Sequence, residues 1–443
     1  MPEGAGASSF VRGAFMEARL SQSLLREPAA REAERLLRTC VHCGFCLPAC
    51  PTYELSGDEL DSPRGRIYLI KEVLEGRGGK IARQHLDRCL LCRACERACP
   101  SGVEYSRLAA VTRRLVAAAS PRNLKDWLLR RLIGAVVPYP SRLSRAVAVA
   151  RLLRPLLPAP FAATLPARPA ATGFPRRSLP HPRRILLVPG CAQSVFSPAT
   201  HLALARVCHR LGIEPVFSPG SGCCGALSHH LGFEKRALGQ IRRNLDLWWP
   251  ELQAGAEGLM IPASACALMV REYPAILASD GQYAERARRI ADVVKDPAEL
   301  LLSEGGRHPF LPPKKAVAFH CPCTQRPGTV EALLQKLGVP LIPQQRSPAC
   351  CGAAGAYALL QPKISSRLLD WKVSALEEGG PTEILTANIG CQLHLAGRSR
   401  VPVRHWVELI DECQAAGLRL ETPAGNRTQH SGDSSAERFP PFP

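Results

Sequence analysis

Two runs of cysteine at one spacing constrain this chain more than any other feature. Cys40, Cys43, Cys46 and Cys50 are followed by Pro51, and Cys89, Cys92, Cys95 and Cys99 by Pro100. Both runs read C-x2-C-x2-C-x3-C-P. Soft thiolates at x2 steps wrap a tight loop around one corner of a compact thiophilic centre. The proline after each last cysteine fixes φ and bends the chain away. A pair of zinc ribbons is the competing reading, because C-x2-C pairs also bind zinc. Zinc needs only four ligands from two pairs, which leaves the third C-x2-C step and the C-P ending without a purpose.

The spacing is that of the bacterial ferredoxin run, which holds a [4Fe–4S] cluster. In two-cluster ferredoxins the fourth cysteine of each run ligates the other cluster. Carried over to this sequence, Cys40, Cys43, Cys46 and Cys99 hold one cluster. Cys89, Cys92, Cys95 and Cys50 hold the other. A chain with two such clusters moves electrons.

The remaining composition fits an intracellular protein. At 443 residues, 46% of them apolar, the chain can form two or three domains with real cores. Nineteen cysteines in a chain of this size, patterned for clusters, suit a reducing cytoplasm rather than a disulfide framework. No signal-peptide h-region and no transmembrane run stands out. The net charge of +19 is uneven: residues 101–184 carry sixteen Lys or Arg against Glu104 and Asp126. Such a segment can lie on anionic lipid, dock an acidic partner subunit, or be a solvated face. Aromatic residues are only 5%, with no stacking motif, which argues against nucleic acid.

Along the chain, residues 1–39 form a helical start and 40–106 the two-cluster unit. Between its halves, Ser62 or Asp61 before Pro63 marks a helix start, with Arg64 and Arg66 aimed at a cluster or partner, or merely solvated. Residues 107–184 read as basic amphipathic helices broken at Pro138, Pro140 and Pro155, then a linker from Pro155 to Pro182. Residues 417–443 are polar and rich in Pro, Gly and Ser, the composition of a disordered tail.

Residues 185–300 and 301–416 are two copies of one unit. Strands ILLVP, EPVFSP and GLMIPAS of the first are answered by AVAFH, VPLIP and EILTANIG of the second, with helices between. That alternation predicts parallel sheets, so the whole chain is expected to be α+β: a helical ferredoxin-like domain, then a duplicated α/β domain. Cys191, Cys224 and Cys266 recur as Cys321, Cys351 and Cys391, at offsets of 130, 127 and 125. Cys223 and Cys350 complete two Cys-Cys-Gly turns, with Cys323 nearby. Each cysteine falls where a strand gives way to a helix, the edge at which open α/β folds place ligands. Adjacent cysteines are poor disulfide partners. The eight are therefore candidate metal or cluster ligands, either four per unit or shared between units; buried structural thiols are the alternative. Cys208 and Cys413 read as core residues. Of the histidines 209, 229, 230, 320, 394 and 405, the last three gather in the second unit near Cys321 and Cys391.

Several phrases carry a family resemblance. TCVHCGFCLPACPTY, GDELDSPRGRIYLIKEVLEG, RCLLCRACERACPSGVEY, AFHCPCTQ, CCGAAGAYALLQP, TANIGCQLHLAGR and VPVRHWVELID resemble the iron–sulfur subunit of bacterial glycolate oxidase over roughly residues 28–416. The Cys-Cys-Gly repeat is shared with heterodisulfide-reductase-like proteins, lactate-utilisation proteins and the small subunit of anaerobic glycerol-3-phosphate dehydrogenase. The resemblance implies an oxidoreductase subunit that takes electrons from FAD-type partner subunits, which oxidise glycolate to glyoxylate, and passes them to a membrane quinone or another acceptor. It implies FAD on the partners only, and a cytoplasmic, peripheral place at the bacterial inner membrane. Alternatives are a heterodisulfide-reductase-like catalyst or the equivalent subunit of a lactate or glycerol-3-phosphate dehydrogenase. The heterodisulfide-reductase pattern ends in C-x-x-C, where this chain has Ala263-Ser264-Ala265-Cys266 and Asn388-Ile389-Gly390-Cys391. Each unit therefore lacks one thiolate of that pattern. No Rossmann glycine fingerprint is present, so this chain alone is not expected to oxidise glycolate.

Overall fold

The computed structural model describes residues 16–156, 180–218, 220–304, 309–344 and 348–421. The two cysteine runs form loops wrapped by the helices Pro28–Leu37, Pro63–Leu74, Gly79–Asp87 and Tyr105–Ala119. These helices bury Leu36, Leu37, Ile70, Leu74, Leu86 and Leu108 in one core. The proline after the first run acts differently from the expected bend. Pro51 opens the helix Pro51–Ser56, where its missing N–H is no loss, and Gly57 ends that helix in the left-handed region. Ser62 caps the helix Pro63–Leu74, its hydroxyl accepting from the Gly65 N–H at 3.0 Å, as the Ser-Pro pair predicts.

The basic segment folds into a helical hairpin, Leu124–Val136 and Pro140–Leu152. Asn123 caps its first helix by accepting from the Asp126 N–H at 2.8 Å. Arg130, expected to belong to a charged surface, is instead buried. It pairs with Asp126 at 3.0 Å and Asp87 at 3.6 Å, beside a second bridge from Arg122 to the same two carboxylates. Most of the expected linker, and the tail beyond residue 421, lie outside the described residues.

Two parallel sheets follow. The first holds β1 (Arg183–Leu187), β2 (Ile213–Phe217), β3 (Leu259–Met260) and β4 (Val294–Lys295) in the order β2-β1-β3-β4. The second holds β5 (Ala318–His320), β6 (Ile384–Thr386) and β7 (Val403–His405) in chain order. The expected strand VPLIP is reduced to one parallel bridge, Val317 to Leu341. β4 and β7 lie in segments where the sequence had suggested no strand. They are only two and three residues long, too short for period-two alternation to register.

The units share one core. Ile185, Leu187, Phe319, Leu385, Trp406 and Ile410 bury together, and the helix Pro198–Arg210 lies on Trp406–Glu421. Cys208 and Cys413 belong to this core, as expected, with burial pushing their thiols up to about 12 and about 11. His201 and His405 are also enclosed there, and burial lowers each to about 4. An unfolded histidine titrates near ~6.5, so between about pH 6.5 and 4 the unfolded chain binds the extra protons. Stability therefore falls as pH drops through that window, by on the order of 1–2 kcal/mol per histidine at about pH 5. Anaerobic thermal unfolding from pH 7.5 to 5 should show this fall, and His405→Asn should flatten it.

Candidate functional site

Cys99 reaches back to the first cysteine loop. One cleft of about 430 Å³ is lined by Cys40, Cys43, Cys46 and Cys99. A second, of about 310 Å³, is lined by Cys50, Cys89, Cys92 and Cys95. The fourth cysteine of each run thus serves the other cleft. Pro63, Cys95 and Tyr105 line both clefts, so the two share a wall.

Backbone strain shapes the loops. His42 (φ 57°) and Leu91 (φ 54°) occupy the same place in the two runs, two residues after the first cysteine. So do Gly44 (φ 86°) and Arg93 (φ 58°), two residues further on. Left-handed conformation at non-glycine residues costs roughly 1–2 kcal/mol each and concentrates at functional sites. Here it turns amides inward: the His42 N–H donates to Cys40 Sγ and the Leu91 N–H to Cys89 Sγ, both at 3.4 Å. Burial pushes Cys46 up to about 11 and Cys92 and Cys95 higher still. Four convergent soft donors with inward amides fit a thiolate-bound cluster, whose positive irons would offset the desolvation that keeps these thiols neutral.

Arg66 is the cation of the second cleft. It is 1% exposed. Its Nη1 reaches Cys50 Sγ at 3.8 Å, its Nε donates to the His85 carbonyl at 2.8 Å, and its Nη2 donates to Thr52 Oγ1 at 3.1 Å. Asp61 balances it at 3.3 Å and also meets His85 Nδ1 at 2.8 Å and Arg88 at 2.9 Å. Arg66 is therefore aimed at Cys50, and the solvated reading of it falls away. Arg64 lines the first cleft and pairs with Glu59.

In the first repeat, Cys191, Cys223, Cys224 and Cys266 form a continuous series of thiol contacts. Cys223, accepting from Cys191 and Cys224, is held well below the usual thiol range. In the second repeat the series runs Cys323, Cys350, Cys351, Cys391. Strand register explains the change from the expected Cys321. Leu186 pairs with Leu259 as Ala318 pairs with Ile384, which sets Cys323 opposite Cys191. The signal was present in sequence: Cys191-Ala192-Gln193 matches Cys323-Thr324-Gln325, and both glutamines are buried. Cys321 stands beside the series, where burial raises its thiol to about 12.

Both Cys-Cys-Gly turns end on glycine at φ 91°. A Cβ on Gly352 would lie 2.8 Å from the Ser365 carbonyl, so the turn is glycine by conformation and by space. Of His320, His394 and His405 in the second unit, only His320 lies with the thiols. A ring nitrogen of it is within 4.8 Å of Cys351 and Cys391 Sγ. His394 faces Ser365 Oγ at 3.1 Å, and His405 faces the Pro262 carbonyl at 3.1 Å.

The second cleft abuts the second repeat. Cys92 and Leu90 pack in one apolar cluster with Cys350, Tyr357 and Leu368. Tyr357 donates to the Arg88 carbonyl at 2.8 Å, and Arg97 donates to the Cys323 carbonyl at 3.3 Å. Arg93 pairs with Glu272 of the first repeat. The first cleft is the open end, with Cys43 exposed and Phe45 66% exposed at its rim.

Known proteins are similar to this chain in sequence. The 4Fe-4S dicluster domain family matches residues 36–103, and the Cysteine-rich domain family matches 185–271 and 317–396. Over 403 residues the chain is 45% identical to the glycolate oxidase iron-sulfur subunit of Escherichia coli (strain K12), covering 90% of this chain and 99% of that protein. It is 28% identical to the probable glycolate oxidase iron-sulfur subunit of Bacillus subtilis (strain 168), covering 82% and 89%. Lactate utilization protein A of Bacillus licheniformis is 26% identical over 50% of this chain and 96% of its own. With thiol clefts, duplicated Cys-Cys-Gly turns and a relative matched nearly end to end, the chain belongs to the family of glycolate oxidase iron-sulfur subunits.

Proposed function

We propose that this chain is the electron-transfer subunit of a heteromeric glycolate-oxidising enzyme, working between FAD-carrying partner subunits and a quinone or other acceptor. The observation that carries the reading is the end-to-end order of thiol sites: an open first cleft, a second cleft sharing its wall, and a duplicated cysteine unit packed against the second. Cys40, Cys43, Cys46 and Cys99 would hold one [4Fe–4S] cluster, and Cys89, Cys92, Cys95 and Cys50 the other. The two clusters supply one-electron carriers.

The chain's own residues do the rest. Tyr357 and Leu368 pack with Cys92 where the second cleft meets the second repeat, and Arg66 brings positive charge to Cys50. Burial, charge and hydrogen bonds to sulfur are the levers that set such potentials. Cys191, Cys223, Cys224 and Cys266 of the first repeat, with Cys323, Cys350, Cys351 and Cys391 of the second, would bind further iron. The chain alone is expected to be inactive toward glycolate, and adding the flavin partners should restore glycolate-dependent dye reduction. Full activity in the isolated chain would overturn the subunit reading.

The helical hairpin supports a seat on an anionic membrane surface. Leu124, Trp127, Leu128, Leu132, Leu152 and Leu153 are exposed on it, Leu124 at 74% and Leu152 at 80%. Arg131 stacks over Trp127 at 4.7 Å and Arg142 over Tyr139 at 4.5 Å, mixing apolar and cationic groups as interfacial helices do. No described helix is long and apolar enough to cross a membrane. Replacing Leu124, Leu128 and Leu132 by Ser and Arg131 and Arg142 by Glu should release the complex from phosphatidylglycerol vesicles without changing dye reduction. Unchanged flotation with vesicles would contradict this seat.

A further inference from the structure

The duplication lets one half of the chain serve as an internal control for the other. By strand register, Val188 of the first repeat corresponds to His320 of the second, and Ile261 to Thr386. The glycines of the two Cys-Cys-Gly turns approach the carbonyls of Ala237 and Ser365 respectively, which sets Asn244 opposite Lys372. An apolar pair and an amide in the first repeat are therefore replaced by an imidazole, a hydroxyl and an ammonium in the second. All three replacements are buried: His320 is 1% exposed, Thr386 0% and Lys372 5%.

The three replacements converge on the thiols. A ring nitrogen of His320 lies within 4.8 Å of Cys351 and Cys391 Sγ, which lie equally close to each other. Thr386 Oγ1 stands 2.9 Å from His320 Nδ1 and fixes the ring, as outer partners orient metal-binding imidazoles. Lys372 faces Cys351, Cys350, Cys391 and Cys321, a cation placed where several thiolates would need one. Burying an imidazole and its hydroxyl partner in a thiol site costs desolvation that the first repeat avoids with Val188 and Ile261. A structural role does not need that cost, because the apolar pair fills the same space in the first repeat.

We propose that the second repeat holds an iron–sulfur cluster through mixed nitrogen and sulfur ligation, with His320 beside Cys351 and Cys391, while the first repeat binds through thiolates alone. The inference rests on the reading above that the repeats carry iron. A multinuclear centre fits better than zinc. A structural zinc takes four ligands at a single ion, whereas Cys323, Cys350, Cys351, Cys391 and His320 offer five donors, which several irons can divide among them. A neutral imidazole in place of an anionic thiolate raises a cluster's potential, as histidine ligation does in Rieske centres. The second repeat, in contact with the second cleft, is then the higher-potential end for electrons leaving the ferredoxin unit.

The test uses the anaerobically purified complex with 15N-histidine labelling, followed by pulsed EPR through a full redox titration. Iron and zinc content are measured on the same samples. At four irons per cubane, about twelve or more irons per chain are expected. One paramagnetic species should show histidine nitrogen coupling. The double variant H320V/T386I copies the first repeat's own pair and should fold; it should lose that coupling and keep the ferredoxin-type signals. Cys in place of the imidazole, H320C, should keep iron, lose the coupling and shift one midpoint potential downward. Twelve irons with no histidine coupling at any potential, or coupling that survives in both variants, overturns this inference alone. About eight irons, or stoichiometric zinc in the repeats, overturns both this inference and the reading beneath it.

Discussion

A chain carrying Cys92→Ser is expected to lose about four irons and to stop delivering electrons to the acceptor. Serine offers a hard, protonated oxygen where the cluster needs a soft thiolate. Cys92 lines the second cleft and packs with Cys350, Tyr357 and Leu368 where that cleft meets the second repeat. Its loss cuts the only junction between ferredoxin unit and second repeat at which thiols from both sides share a cluster of buried residues, among the described residues. Cys99→Ser should remove the same amount of iron from the first cleft. The variants separate in what glycolate still reduces. With Cys92→Ser the flavin partners can still reduce the first cluster; with Cys99→Ser they should reduce neither. EPR of glycolate-treated complexes checks the pair. Reduction of the second cluster in the Cys99→Ser complex would place the electron entry elsewhere.

Arg66→Met should be strongly destabilising. The substitution keeps most of the apolar stem and deletes a buried guanidinium that serves Cys50, Thr52, Asp61 and the His85 carbonyl. Breaking a buried pair by removing one partner costs about 3–5 kcal/mol, because the remaining charge is left without compensation. Asp61 keeps His85 and Arg88, so the loss should fall toward the lower end of that range. Arg66→Met/Asp61→Asn should recover part of it, since the two sites are coupled. Anaerobic denaturant unfolding of the four proteins in the cycle measures the coupling. Additive losses would mean that Asp61 is held by Arg88 and His85 alone.

The two cysteine runs were legible in sequence because their cysteines lie in short loops, where spacing translates directly into geometry. The crossing of Cys50 and Cys99 between clefts follows from the same rule. The repeats were legible as strand–helix alternation with Cys-Cys-Gly turns, but their pairing slipped at one point. Cys321 and Cys323 are two apart, so either could be matched to Cys191 by offset; the shared Cys-x-Gln step favours Cys323, and strand register selects it. His85, Tyr357 and Lys372 carried no local signal, and Asp61 was legible only as a helix-start candidate, not as the partner of Arg66. Each acts across the fold: Tyr357 reaches Arg88, and Lys372 reaches loops from three other parts of the second unit. The burial of Arg130 was hidden for the same reason, since Asp87 lies on another helix.

Electrons from glycolate are expected to pass through the two ferredoxin-type clusters of this chain. The most direct measurement is rapid-freeze EPR of the purified complex mixed anaerobically with glycolate. Both cluster signals should appear within the time of one turnover, before or together with acceptor reduction. Acceptor reduction at the full rate while both clusters stay oxidised would contradict it.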